Sequence, residues 1–446
     1  MDMECADVVL DILRHLPLRS LAASRCVCTA WRALIDDHRL LRADLLPLSL
    51  DAVIYETSEP DAPQLFSRSS TSRTITSGLD YLDVKGKQYL WPMLDHCNGL
   101  LLLDDNIVVN PATRQWAKLP PLPHSCTATG CTTCRRDRYL VYDPAVSPHY
   151  DMLLIPRIPT RTSTDHKCCY ESVSAMEWPP SPYIISVFSS STRCWKERSF
   201  IREGDAAGVV DDLKFPGMSP SVLFYSAYWQ RALYVRWQYA FLLRINLAND
   251  TYQVIKLPRG KEGAPRLGKS KDGVYCSLVL RRCRCEIWFL DESSGQMNWV
   301  LRNEINLEHV ETKCSVADGP WVFQSCDEME WLLNNQVNFN DTYEGNKALP
   351  QDDFGWDSDD ENVVSTADWP IEYCGYNPPC FYCLGFHPYK QIVLFHDGSQ
   401  TTIAYHFNSS KVQYLGKMWI YHEEIEASFA YTPCWTRDLP GSNKCQ

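Results

Sequence analysis

The sequence predicts a mainly β protein that begins with a small α-helical module and continues as an irregular β-propeller of about six blades. Helical periodicity is confined to the first forty-odd residues. From about Tyr89, short β-type runs alternate with turn residues, and one strand–turn–strand phrase recurs. With 446 residues, 45% of them hydrophobic and 12% aromatic, the chain can hold one small module and one large domain with a sizeable core.

The helical pattern occupies residues 1–45. One apolar stripe at helical spacing runs along residues 9–16, and Pro17 ends it because proline disfavours helical geometry in the preceding residue. A second stripe runs along residues 27–35. So short a segment cannot fully bury its own apolar side chains. It is either a subdomain docked on its own chain or an interaction module whose exposed apolar face needs a partner.

This module resembles the F-box motif over residues 5–45, although Cys5-Ala6 replaces the usual Leu-Pro opening of its first helix. The resemblance rests on Leu16-Pro17-x-x-Ser20-Leu21, Arg25-Cys26-Val27-Cys28 and Trp31-Arg32-x-Leu34-Ile35. It implies docking onto a Skp-type adaptor, which a cullin scaffold holds in an SCF ubiquitin ligase. We expect the following apolar residues to shape or fill the adaptor interface: Leu13, Leu16, Pro17, Leu21, Val27 and Trp31.

The rest of the chain divides into segments that differ in composition and periodicity. Residues 46–88 are predicted to be a linker with at most short strands, near Ala52–Tyr55 and Tyr81–Val84. Residues 89–436 form the predicted β domain. An acidic, mobile insertion is expected within it at 334–369, and a flexible tail after it at 437–446.

The recurring phrase is an apolar strand, a polar turn and a partner strand with an aromatic anchor. Its five anchors are Trp116, Trp195, Tyr252, Trp299 and Tyr414. They stand 79, 57, 47 and 115 residues apart. Two of these gaps approach the ~40–50-residue period of propeller blades. A β-sandwich is the alternative architecture, and the propeller is favoured because radial repetition protects sheet edges.

Two consequences follow for the blade arrangement. Each long gap is expected to hide a degenerate blade, one around Tyr139–Leu154 and one around Trp321–Leu333. A propeller must also join its first and last blades. We therefore expect the strands near 403–407 and 412–415 to pair within one blade, beside the blade built from 100–103 and 107–109.

The opening of the β domain also resembles a known family. The run His96-Cys97-Asn98-Gly99-Leu100 to Leu103, followed by Asn110-Pro111-x-Thr113-x-x-Trp116, is similar to the F-box-associated, kelch-like domain of plant F-box proteins. The resemblance implies a propeller that binds a target protein, and it weakens beyond about residue 300.

Charge and composition exclude several functions. A net charge of −12 and a pI near 5.4 argue against nucleic acid as a partner. The acidic N-terminus is unlike a signal peptide, and no run approaches the ~18 apolar residues of a membrane span. We expect a cytoplasmic or nuclear protein without membrane contact. Its 20 cysteines should then be mostly free thiols.

No cofactor or metal is predicted. His124, Cys126, Cys131 and Cys134 are four ligand types within eleven residues, but the second half of the usual zinc spacing is missing. Cys380 and Cys383, with Cys374 upstream, are a weaker candidate set, because strand alternation places Cys380 and Cys383 on opposite faces. We expect the cysteines at 126–134 to be unligated.

No catalytic constellation stands out either. The chain has no Gly-x-Ser-x-Gly elbow, no phosphate-binding glycine loop and no His-Glu-x-x-His sequence. Catalytic residues are therefore predicted to be absent. The acidic segment 351–361 is interpreted as a solvated loop, with docking of a basic partner through Phe354 and Trp356 as the alternative.

Together these features favour a non-catalytic substrate-recognition subunit of an SCF-type ligase, with a target protein bound by the β domain. One alternative is a free-standing binding protein whose F-box-like helices only pack on the propeller. The other is a propeller enzyme, which would need a polar cluster in the central channel.

Overall fold

A computed structural model describes most of the β domain and much of the helical module. The described residues are 3–16, 21, 24, 27–38, 40, 50, 52–57, 63–68, 79, 81–82, 92–123, 136–157, 173–213, 226–237, 241–258, 264–280, 284–293, 295–307, 321–324, 363–365, 381–398, 401–418, 420, 425–434 and 439–442.

The N-terminal module contains two described helices, α1 (Met3–His15) and α2 (Thr29–Asp37). Cys28 immediately precedes α2, and its Sγ accepts a hydrogen bond from the N–H of Trp31 (3.4 Å), as a capping side chain does. The two helices share a small core with Leu21. None of the helices in the described residues is long and apolar enough to cross a membrane.

Over the described residues, the β domain consists of six units of antiparallel strands, called sheets 1 to 6 here. Sheets 3 and 4 are also joined by a parallel pairing of Ile201–Arg202 with Thr251–Tyr252, so that together they form one eight-stranded sheet. Sheet 2 contains β3 (Met93–Cys97), β4 (Leu100–Leu103), β5 (Ile107–Asn110) and β6 (Gln115–Lys118). Sheet 3 contains β7 (Arg136–Val141), β8 (Asp151–Pro156), β10 (Tyr183–Ser189) and β11 (Cys194–Arg202). Sheet 4 contains β13 (Ser226–Trp229), β14 (Ala232–Trp237), β15 (Phe241–Asn246) and β16 (Thr251–Lys256).

The remaining sheets complete the set. Sheet 5 contains β17 (Ala264–Ser270), β18 (Gly273–Leu280), β19 (Arg284–Asp291) and β20 (Asn298–Asn306). Sheet 6 contains β23 (Tyr382–Phe386), β24 (Ile392–His396), β25 (Thr401–His406), β26 (Lys411–Lys417) and the edge strand β22 (Val363–Ser365). Sheet 1 contains β27 (Ile425–Tyr431), β1 (Ala52–Thr57), β2 (Gln64–Arg68) and β21 (Trp321–Gln324). A separate short ladder pairs β9 (Glu177–Trp178) with β12 (Gly208–Val209).

Six hydrophobic clusters join neighbouring sheets and close them into a ring. In order around the ring, the clusters contain Phe429 with Leu103 (sheets 1 and 2), Leu102 with Leu140 (2 and 3), Tyr139 with Leu233 (3 and 4), Leu242 with Cys276 (4 and 5), Ile287 with Phe395 (5 and 6), and Leu394 with Val53 (6 and 1). The middle strands are therefore buried on both faces, which explains continuous apolar runs such as β4. The predicted fold class, N-terminal helices followed by a propeller-like ring, is confirmed.

Sheet 1 unites distant parts of the chain. The C-terminal strand β27 pairs antiparallel with β1, and β1 pairs with β2. The predicted linker 46–88 therefore supplies two strands of the β domain. A strand near 52–55 is present, whereas Tyr81 and Leu82 lie in no strand and the rest of 81–84 is outside the described residues.

The closing sheet also corrects the expected neighbours of the last blade. The phrase at 401–417 does pair within one sheet, as β25 with β26. That sheet does not adjoin the one with 100–109, because sheet 1 lies between them.

The prediction of a separate degenerate blade is wrong at 139–154, and of the other predicted blade, at 321–333, the structure describes only 321–324. β7 and β8, at 136–156, pair with the phrase at 183–202 and complete sheet 3 instead of forming a blade of their own. Trp321 lies on β21, which pairs with β2 at the edge of sheet 1. Its side chain is 1% exposed and packs on Phe66, with ring centroids 5.5 Å apart.

The predicted tail is anchored over the residues that the structure describes. Leu439 is 4% exposed and packs in the cluster between sheets 2 and 3. Its N–H donates to Gln115 Oε1 at 2.7 Å. The segment 439–442 is therefore part of the folded domain, because the Leu439 side chain is buried in the core between sheets 2 and 3.

Candidate functional site

The first candidate site is an apolar face of the N-terminal module. Val8 and Ile12 are one helical turn apart on α1 and are 61% and 55% exposed. Val27, just before α2, is 64% exposed. Large apolar side chains with this exposure, in a module of this size, are typical of a protein–protein contact.

The six residues expected at the adaptor interface fall into different environments. Leu13 and Leu21 are buried in the module's own core with Ile35, so they shape the module. Leu16 and Trp31 pack against that core and are partly buried. Val27 is exposed, and Pro17 lies outside the described residues. Sequence reasoning missed Val8 and Ile12, whose spacing on α1 was the available signal.

The second candidate site is one end of the propeller ring. Because the strands of each sheet are antiparallel, the turns after its first and third strands lie at one end. Most of these are tight, such as Asn98–Gly99 between β3 and β4. At the opposite end lie the strand ends that lead into the connections 119–135, 157–182 and 203–225, of which the structure describes 119–123, 157, 173–182 and 203–213. Loops held on a rigid scaffold are where binding residues concentrate, so this end is the candidate target surface.

Polar side chains connect the innermost strands across the ring. Ser226 donates from Oγ to Asp95 Oδ1 at 2.8 Å, and the N–H of Leu140 donates to Asp95 Oδ2 at 2.7 Å. The carboxyl of Asp95 thereby joins sheets 2, 3 and 4. Arg266 of sheet 5 donates to Ser428 Oγ of sheet 1 at 2.8 Å. These contacts link sheet 2 to sheets 3 and 4, and sheet 5 to sheet 1.

Asp95 should make stability depend on pH. Burial raises the pKa of this carboxyl to about 7, although its hydrogen bonds act in the opposite direction. A carboxyl whose pKa is raised on folding binds a proton in the folded state, so its stabilising contribution is present below about pH 4 and is lost as pH rises through about 7. The effect is on the order of 4 kcal/mol.

We therefore expect Asp95→Asn to flatten the loss of stability between pH 5 and pH 8, because the amide accepts from Leu140 and donates to Ser226 without titrating. Urea unfolding of the full chain at both pH values measures the change. The buried His387, whose pKa burial lowers to about 3, acts equally in both proteins. An unchanged difference between the two pH values would contradict the role of Asp95.

The candidate metal ligands receive no support from the part of the chain that the structure describes. Residues 124–134, Cys374, Cys380 and the acidic segment 351–361 lie outside it. Cys383 is a buried thiol that accepts a hydrogen bond from Ser277 Oγ at 3.2 Å, and burial raises its pKa. Among described residues, no group of three or more His, Cys, Asp or Glu side chains is placed to hold a metal ion.

Residues 5–43 match the F-box domain family. The chain thus carries an F-box domain at its N-terminus, over the segment that contains α1 and α2. The match ends before β1, so it describes none of the propeller ring.

Three proteins of Arabidopsis thaliana are similar to parts of the chain. F-box protein At3g07870 is 24% identical over 42% of this chain and 45% of its own length. Jacalin-related lectin 38 is 26% identical over 30% of this chain and 26% of its own length. The F-box protein At4g21240 is 30% identical over 33% of this chain and 36% of its own length. The matches span less than half the length of each relative.

Among solved structures, the chain matches a hypothetical selenium-binding protein from Sulfolobus tokodaii. It is 11% identical, with a TM-score of 0.32, over 83% of this chain and 75% of the other. Neither the matched domain family nor the F-box relatives are described as enzymes.

Proposed function

We propose that this chain is a substrate-recognition subunit of an SCF-type ubiquitin ligase. Its F-box domain docks a Skp-type adaptor held by a cullin scaffold, and its β domain binds a target protein. The observation that carries the proposal is the F-box match at residues 5–43 together with the exposed apolar side chains Val8, Ile12 and Val27.

The mechanism is tethering. A target held by the β domain stays close to the ubiquitin-charged enzyme at the other end of the complex. Its effective concentration there rises, and an encounter between two molecules becomes an intramolecular step. Such a subunit needs no catalytic residues, and the complex works in the cytoplasm or nucleus.

The likeness of the β domain to a kelch-like, F-box-associated domain belongs to this proposal. The run that carries this likeness contains the tight hairpin turn Asn98–Gly99. Both residues have positive φ, 46° and 87°, as this type of turn requires. A side chain in place of Gly99 would also meet Cys434 at 2.7 Å. The target is expected at the end of the ring that carries the long connections.

Deleting residues 1–45 is expected to abolish adaptor binding while the β domain stays folded, because β1 begins only at Ala52. Pull-down with purified adaptor and a thermal melt of the truncated chain measure the two results. A search for proteins that accumulate when the chain is removed from cells then identifies the target. Co-purification of the truncated chain with the adaptor would contradict docking through residues 1–45, whereas failure of the full chain to bind the adaptor would favour the free-standing binding protein.

A further inference from the structure

One contact crosses the centre of the ring from side to side. Lys269, near the end of β17 in sheet 5, donates from Nζ to Oδ1 of Asn98, which lies in the turn after β3 in sheet 2. Sheets 2 and 5 are opposite each other in a ring of six, so the Lys269 side chain lies in the middle. Asn98 is fixed by its own donation from Nδ2 to the carbonyl of Tyr142 at 2.6 Å.

The ammonium of Lys269 has unused hydrogen-bonding capacity. It carries three donors, and Asn98 is its one hydrogen-bond acceptor among the described residues. No described carboxylate forms an ion pair with it. The nearby Asp143 carboxylate instead accepts from its own turn, at the N–H of Ala145 (3.0 Å). Burial lowers the pKa of Lys269, while the charge of Asp143 acts to raise it.

His96 lies beside this ammonium. It lies on β3, two residues before Asn98 of the following turn. Its ring stacks on Phe429, with centroids 3.6 Å apart and planes at 4°. Burial and the charge of Lys269 lower the pKa of His96 to about 3, so the imidazole is neutral at pH 7 and offers one N–H donor. The side chains of His96 and Lys269 are only partly buried.

We propose that Lys269, His96 and Asn98 form a binding site for a small oxyanion, phosphate or a carboxylate. A partly buried cation without a paired carboxylate is costly, and an oxyanion would supply the missing charge and accept the unused N–H groups. The site goes beyond target recognition, because it lies inside the ring and takes a ligand of a few heavy atoms.

Titration of the full chain with inorganic phosphate, and separately with acetate, tests the site. We expect the melting temperature to rise with phosphate concentration, because a ligand that binds only the folded state stabilises it. In Lys269→Met the apparent affinity should fall at least about tenfold. Acetate distinguishes a general carboxylate site from one that requires phosphate.

Lys271→Met is the matched control, since Lys271 is exposed in the adjacent turn. The melting temperature of Lys271→Met should rise with phosphate as that of the unchanged protein does. Phosphate salts also stabilise folded proteins in general, and that effect would be equal in the unchanged protein and both variants. A second readout needs no variant: bound phosphate should raise the pKa of His96 toward its ordinary value, followed by NMR of the imidazole protons. Equal shifts in all three proteins, or a His96 pKa that phosphate leaves unchanged, would overturn the proposal.

Discussion

Ending the chain at residue 424 is expected to unfold the entire β domain. The lost strand β27 is the inner strand of sheet 1 and pairs with β1 along its whole length. It also contributes the buried Phe429 and Tyr431 to the core between sheets 1 and 2. Burial of each large apolar side chain is worth roughly 1.5–3 kcal/mol, and a domain is stable by only about 5–15 kcal/mol. The truncated chain should show no cooperative thermal transition.

Two chains that end later are the controls for this experiment. Ending the chain at residue 442 keeps Leu439 in its place and should leave the melt unchanged. Ending it at residue 435 removes that buried leucine and should lower stability by roughly 2–5 kcal/mol without unfolding the domain. A cooperative, unshifted melt of the chain that ends at 424 would mean that sheet 1 does not close the ring.

The double substitution Val8→Asp with Ile12→Asp is expected to weaken adaptor binding by at least about thirtyfold, because interface anchors of this kind contribute roughly 2 kcal/mol or more. The carboxylates would have to be desolvated against the adaptor. Both positions are exposed in the unbound chain, so the module itself should remain folded. Titration of purified adaptor by calorimetry measures the loss.

Val146→Asp is the matched control, because Val146 is 66% exposed but lies in a turn of the β domain. It should bind the adaptor as the unchanged chain does. The β domain dominates the circular dichroism of the full chain. Folding of each variant is therefore followed by its thermal melt, which should stay cooperative and unchanged. Unimpaired adaptor binding by the double variant would exclude the α1 face as the docking surface.

The residues of the candidate docking face could be predicted only in part. Periodicity places Leu13 and Leu16 on an apolar stripe, and Leu13 is indeed buried. The same helix carries Val8 and Ile12 on a different side, and spacing alone does not say which side the rest of the module covers. That choice depends on where Leu21 and Ile35 pack, which is decided by the chain connection between the helices.

By itself, the sequence determined the elements whose contacts are local. Hairpins such as β15–β16 and β25–β26 join residues a few positions apart, so alternation, turn residues and the aromatic anchor were enough to find them. The tertiary structure alone decided how the ring closes. Sheet 1 takes β1, β21 and β27 from positions hundreds of residues apart, and no local pattern encodes such a pairing. Their partners are selected by the open edges and apolar faces that the other five sheets leave, which exist only once those sheets have assembled.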